Sequence, residues 1–546
     1  YVMATNWTSA DTITDSAGTA DVLSATLATS VTPAALTGIE TLTLTMNGAA
    51  VNATNITGTT TLNISETDAN STVVFTNLAS DVAQINQTTD FGVVNIGFAS
   101  GAAATVRHDF DGLTEAATNS STTYSNVANL TIDGDATVAN ALDMGSITGG
   151  TALRTLAVAV GAAAVDTGDI SAAGMTTLTS TGTTGAITLG DLTAAAMTDM
   201  TVTTTTGAAI IGSITAAAMT DMTVTATTGG VVQTGAIAAA AMTNLTAETT
   251  TGALSIGALT TGVTASNPLK TLSYTSTTGT VNISDVTATT GTAITAMTSY
   301  TISSGINTSD STYGALNLGT DGTLASYSVT AGATPTGVNN DYGVITAAEV
   351  SSISITTGNG GGTHTFATMA NVLALGDITI DADDNVTITT GAVNATEVGD
   401  IHATTISGAT VNLGTIGKAD SVMGDITHVG AGTLTITTLG ALSVGAVTGG
   451  AGTTNVTLSN STTIGTVLTG GAGTDTFSGT GGADTFHFGS ADVMTGNGGA
   501  DAFNAAAAVT SATITGGTGA DTVTFANGVN TASINDATVS VTGGTG

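Results

Sequence analysis

An all-β fold, a parallel β-solenoid with coils of about 22 residues each, is predicted by three observations. The first is a turn that keeps time: Gly168-Asp169-Ile170, Gly190-Asp191-Leu192, Gly212-Ser213-Ile214, Gly235-Ala236-Ile237 and Gly257-Ala258-Leu259 recur at steps of 22, 22, 23 and 22. The second is a marker on the same beat, in which Leu153, Met175, Met197, Met219 and Met242 each stand three residues ahead of Leu156, Leu178, Met200, Met222 and Leu245. A fixed period in the low twenties, built from Thr, Val, Ile and Gly, is what one coil of two or three short strands requires. The third is composition. Aromatic residues make up only 3% and glycines number 71, so the chain has little bulk for large globular cores but ample β-branched material for thin stacked strands.

The elements follow in order. Residues 1–150 form a β-rich region in which Ser9-Ala10-Asp11-Thr12-Ile13 and Gly18-Thr19-Ala20-Asp21-Val22-Leu23 resemble worn copies of a glycine-aspartate turn. Runs such as Thr41-Leu42-Thr43-Leu44-Thr45-Met46 alternate apolar and polar residues, the mark of half-buried strands. Residues 151–262 are the regular solenoid. The beat lapses over 263–362, where Asn267-Pro268 and Tyr300, Tyr313, Tyr327 and Tyr342 point to irregular rungs or an insertion. It resumes over 363–465 at Gly376-Asp377-Ile378, Gly399-Asp400-Ile401 and Gly424-Asp425-Ile426. Helical periodicity is scarce; the only candidates are Thr32 to Leu36, Ser80 to Gln84 and Asn504 to Val509, each too short to stand without packing.

Residues 466–546 carry the chemistry. Gly470-Gly471-Ala472-Gly473-Thr474-Asp475-Thr476-Phe477-Ser478 and Gly516-Gly517-Thr518-Gly519-Ala520-Asp521-Thr522-Val523 match the calcium-binding nonapeptide G-G-x-G-x-D-x-U-x. Between them, Gly479 to Phe486 and Gly496 to Phe503 are copies with one glycine displaced. Glycine admits φ > 0 and close backbone approach, while aspartate supplies a hard anionic oxygen. A calcium ion takes six to eight oxygens, so successive turns must share it. Asp484, Asp501 and Asp521, at steps close to the length of two nonapeptides, fall on one edge; Asp475 and Asp492, at a similar step, fall on the other. The insertion at Ala505 to Ala508 interrupts that second edge. The expected metal-site residues are therefore Asp475, Asp484, Asp492, Asp501 and Asp521 with Gly471, Gly473, Gly482, Gly499, Gly517 and Gly519, the cofactor is Ca2+, and the terminal block is a calcium β-roll.

Other acidic groups rank lower. The Gly-Asp-Ile turns lack flanking glycines and read as solvated turns; Asp133-Gly134-Asp135 and Asp381 to Asp384 are better ligand candidates. The formal charge is −35, from 4 Lys plus Arg against 39 Asp plus Glu. With no basic patch, nucleic acid is excluded as a direct partner, and the surface repels its own copies unless cations screen or bridge it. Cysteine is absent, which removes disulfides and thiolate chemistry. No apolar stretch reaches the ~20 residues of a membrane-crossing helix. The five histidines, His108, His364, His402, His428 and His487, never form H-E-x-x-H, and no G-x-S-x-G or phosphate loop occurs. Methionines on the beat are core fillers. No enzyme is expected.

The nonapeptides, the acidic cysteine-free composition and phrases such as Gly38-Ile39-Glu40-Thr41-Leu42-Thr43-Leu44 resemble the calcium-dependent RTX proteins exported by type I secretion, and among these the surface-layer (S-layer) proteins of Gram-negative bacteria. That resemblance is specific over Gly470 to Val523. It implies export without a cleaved N-terminal signal, calcium-driven folding outside the cell, and self-assembly into a two-dimensional lattice held to lipopolysaccharide. A large RTX adhesin or biofilm-matrix filament is the alternative, and an enzyme passenger the third. The worn turns at the start and Gly543-Gly544-Thr545-Gly546 at the end read as the borders of a segment from a longer polypeptide.

Overall fold

The computed structural model describes residues 1–67, 71–110, 113, 117–134, 141–262, 269–288, 294, 296–370, 372–418, 421–438, 443–458, 464–536 and 538–544. Every strand pairing among them is parallel, and no helix occurs among the described residues. The candidates at Thr32, Ser80 and Asn504 are overridden: Ala35–Thr37, Gln84–Gln87 and Ala502–Ala505 are strands held in register by neighbouring coils. Runs this short gain too few internal hydrogen bonds to repay helix nucleation, whereas a strand completes a ladder already laid down on the adjacent coil.

The chain divides into two compact units, Tyr1–Gly262 and Val263–Gly546, each a parallel β-solenoid. In the first unit a coil holds three strands, for example Thr177–Gly182, Ile187–Leu189 and Leu192–Thr193. Each pairs with its counterpart one coil on: Leu178 with Met200, Ile187 with Ala209, and Leu192 with Ile214. Inward positions are filled by the residues of the second marker. Leu153, Met175, Met197, Met219 and Met242 are fully buried, and their flexible side chains fill the gap between faces. Outward positions of the same strands stack threonine on threonine, as in Thr179, Thr201, Thr223 and Thr246. Alternation of a buried and an open face fixes the register, because a slip by a single position would turn every methionine and leucine to solvent.

In the second unit one inward column runs Leu272, Tyr300, Tyr327, Ile353, Ile378, Ile401, Ile426, Val447, Leu468, Phe486, Phe503 and Val523, each paired with the next. The rungs shorten along it: Leu272 to Tyr300 spans the widest coil of the column, and Phe486 to Phe503 the narrowest. The described part of the stretch expected to be irregular is thus a set of ordinary rungs with a longer circumference; Asn267-Pro268 lies outside the described residues. Tyrosines explain the width. Tyr274, Tyr300, Tyr313, Tyr327 and Tyr342 are buried, and Tyr313 stacks on Tyr342 at 4.6 Å, which stacks on Phe366 at 4.2 Å. Large rings need a larger perimeter, so the regular beat is lost while the coil is kept. Towards the end the coil narrows to two strands, such as Thr485–Phe488 and Val493–Gly498. This is the geometry of a β-roll.

Candidate functional site

The glycine-aspartate turns place all five aspartates inside the narrow coils. Asp475, Asp484, Asp492, Asp501 and Asp521 are each at most 1% exposed. The apolar residue two positions on, Phe477, Phe486, Met494, Phe503 or Val523, points into the core, where Phe486 and Phe503 stack at 4.6 Å. Each aspartate therefore sits at the rim of a strand whose next inward side chain anchors it, and the carboxylate turns back under its own glycine turn.

Two columns result, on opposite edges. On the first, the Asp484 N–H donates to Asp501 Oδ1 at 2.8 Å, and the Asp501 N–H donates to Asp521 Oδ1 at 2.9 Å. On the second, the Asp475 N–H donates to Asp492 Oδ1 at 3.0 Å. Main-chain ladders run alongside, from the N–H of Ala502 to Asp484 O, of Thr522 to Asp501 O, and of Val493 to Asp475 O. The second column stops where Val493 pairs with Thr513, which puts Ala512 where a third aspartate would stand. The structure thus forms two separate columns, with the same members that the spacing assigns to each edge.

The glycines are needed for contact between rungs. A Cβ built on Gly519, whose φ is +146°, would lie 1.4 Å from Gly499 O; one on Gly499 would lie 2.3 Å from Gly482 O. On the same edge a Cβ on Gly517 would lie 2.3 Å from Asn497 O; on the other edge, one on Gly471 or Gly473 would meet Gly450 O at 1.6 Å or Gly452 O at 2.1 Å. Coils this close leave no room for any other residue.

Satisfaction of the carboxylates is uneven. Asp475 accepts from Thr454 and Gly471 N–H, each at 2.7 Å; Asp492 accepts from Asp475 and Gly489 N–H. Asp484 accepts from Thr466 and Thr480 N–H and from the Thr480 hydroxyl. The Oδ2 atoms of Asp501 and Asp521 are buried and have no partner. Burial pushes the Asp484 and Asp492 carboxyls above the usual carboxylate range. For Asp501 burial, with the charges of Asp484 and Asp521 adding to it, raises the carboxyl to about 7.

A hard cation fits an oxygen pair of this kind. A Cβ on Gly496 would lie 2.0 Å from Asp501 Oδ2 and 2.4 Å from Gly516 O, so glycine lets a carboxylate and a carbonyl oxygen, both of the hard type that calcium takes, approach the same turn. Among the described residues no three acidic or histidine side chains converge on one point. Each rung contributes one carboxylate, and backbone oxygens must complete any shell.

Three participants were not expected from the motif. Thr480 donates its hydroxyl to Asp484, Asp536 Oδ2 takes the Gly517 N–H at 2.8 Å, and Glu40 does in the first unit what Asp501 does in the second. Asp21 donates its N–H to Glu40 Oε2 at 2.8 Å, and a Cβ on Gly18 would lie 2.3 Å from Asp21 Oδ2. The worn turn at Gly18 keeps the local geometry of the intact ones. Its signal was the shared acid-x-apolar ending, in Asp21-Val22-Leu23 and Glu40-Thr41-Leu42.

The remaining acids are engaged otherwise. Asp169 Oδ1 takes the N–H of Asp191 and Asp191 Oδ1 that of Ser213, while Asp377, Asp400 and Asp425 hand the same bond along to Ala446. These exposed carboxylates staple adjacent coils. Asp133 pairs with Arg107, whose Nε lies 2.7 Å away; Asp135 lies outside the described residues. Asp383 caps the N–H of Asp384 at 2.9 Å. His108, His364 and His428 are buried and bonded to hydroxyls of Tyr124, of Tyr342 and Thr334, and of Thr405 and Thr454. Comparison with known proteins finds no family model and no curated protein that matches the chain.

Proposed function

We propose that this chain is a structural, calcium-stabilised extracellular protein that assembles with copies of itself into a surface layer on the outside of a Gram-negative cell. The observation that carries the reading is the column Asp484, Asp501 and Asp521, buried, with two carboxylate oxygens lacking any protein partner. Burying an ionised carboxylate without a partner is costly, and a divalent cation between rungs removes that cost. Asp501, Asp521 and the Gly516 carbonyl would hold it, with Asp484 setting the register of the column. Calcium suits the site better than magnesium, because it accepts irregular shells of carboxylate and carbonyl oxygens and sheds water more readily.

Self-association is supported by charge and by repetition. At −35, free copies repel, and divalent ions lower that barrier. Outward columns such as Thr179, Thr201, Thr223 and Thr246 offer a surface that repeats from rung to rung, the kind that packs against another copy without a single specific pocket. Attachment to lipopolysaccharide and export by type I secretion belong to the same reading.

The test is assembly of the purified chain with and without calcium. Light scattering and negative-stain microscopy are expected to show sheets that form at millimolar calcium and dissolve on chelation. A monomer indifferent to calcium would overturn the proposal.

A further inference from the structure

The two aspartate columns share one motif but differ in what they lack. Both oxygens of Asp475 accept backbone N–H groups, from Thr454 and Gly471, and both oxygens of Asp492 do the same, from Asp475 and Gly489. In the other column, Asp484 is satisfied by Thr466 and Thr480, whereas Asp501 and Asp521, each 1% exposed, keep one buried oxygen with no donor. The glycine turns at Gly496 and Gly470 are also packed to different degrees. A Cβ on Gly496 would stand 2.0 Å from Asp501 Oδ2 and 2.4 Å from Gly516 O; one on Gly470 would stand 2.8 Å from Asp492 Oδ2 and 3.0 Å from Asp475 Oδ2. Oxygens therefore crowd the Gly496 turn more closely than the Gly470 turn, and a methyl there would displace Asp501 Oδ2 and the Gly516 carbonyl.

We infer that the columns divide the labour: the cation requirement is confined to the rungs of Asp501 and Asp521, while Asp475 and Asp492 are hydrogen-bonded staples that hold their edge without an ion. This rests on the calcium reading above and narrows it. A motif count assigns ions to both edges; hydrogen-bond satisfaction assigns them to one. The reason is that a buried carboxylate with donors on both oxygens is already compensated, so an ion adds little there and must compete with donors in place.

The experiment compares the rise in melting temperature on adding calcium, together with ions bound per chain by equilibrium dialysis, in the wild type and in four variants of the full chain. Asp501→Asn and Gly496→Ala, whose methyl would clash with Asp501 Oδ2 and the Gly516 carbonyl without changing an acidic residue, are expected to lose most of the calcium-dependent rise and to bind fewer ions. Asp492→Asn and Gly470→Ala are expected to melt lower than wild type in chelator but to keep the full rise and ion count. Loss of the rise in both members of the second pair, with the first pair unaffected, would overturn the division while leaving the calcium reading intact. A wild type that neither binds calcium nor gains stability from it would overturn both. The alanine variants change no acidic residue, so the comparison stands even if an asparagine variant fails to fold.

Discussion

Acid should loosen the first unit locally, through His108. The imidazole lies inside the coil, 0% exposed, with Nδ1 2.7 Å from the Tyr124 hydroxyl and its ring stacked 4.4 Å from Phe110. Burial holds its pKa down to about 3 against an ordinary 6.5, so the folded unit keeps it neutral. Below about pH 6.5 the unfolded chain takes up a proton that the folded one refuses, and stability falls as pH drops until the folded value is reached. The slope is about 1.4 kcal/mol per pH unit, or roughly 2 kcal/mol between pH 7 and pH 5. Amide hydrogen exchange in Ala104–Asp109 and Ser121–Ser125, the strands that carry and face the ring, reads this directly. Comparison with His108→Gln removes the background from carboxylates. Wild type should lose about 2 kcal/mol of protection over that interval and the variant far less; equal losses in both would mean that His108 is not the group responsible.

Other consequences follow from packing and backbone. Phe503→Ala, in the stack with Phe486, should cost about 3–5 kcal/mol, seen as a lower melting point and early exchange confined to the terminal coils. Gly519→Ala forces a Cβ against Gly499 O at a φ of +146° and should cost at least about 1–3 kcal/mol, measurable by the same melt. Asp400→Ala removes one exposed staple between coils and should cost no more than about 1 kcal/mol, with calcium response unchanged. Without calcium, the raised carboxyls of Asp484, Asp492 and Asp501 work against folding at neutral pH. Protonation removes that penalty, so chelated protein should gain stability in the terminal coils as pH falls from about 7 towards the unfolded carboxylate value, a trend opposite to that at His108.

Much of this architecture was legible because one rule repeats. The beat of Met175, Met197 and Met219 states circumference and inward face together, and the pairing Leu178 with Met200 with Met222 follows from it. The stretch after Gly262 hid its rungs because tyrosine changed the perimeter, and a reading that requires constant spacing takes a wider coil for a break. The aspartate columns were readable from the spacing of Asp484, Asp501 and Asp521, which stays near two nonapeptides. Their unequal satisfaction was not, since it depends on donors such as Thr454 and Gly489 that lie outside any nonapeptide. Glu40 was hidden for a simpler reason: a longer carboxylate in a worn turn fills the role of aspartate without the glycines that announce it.

On the proposed reading, a divalent ion completes the buried oxygens at the rungs of Asp501 and Asp521. A crystal structure grown in calcium, with anomalous differences recorded at long wavelength, tests it most directly. A peak is expected beside the Gly496 turn, within ligand distance of Asp501 Oδ2 and the Gly516 carbonyl. Well-ordered terminal coils with no peak there, or with ions only beside Gly470, would contradict it.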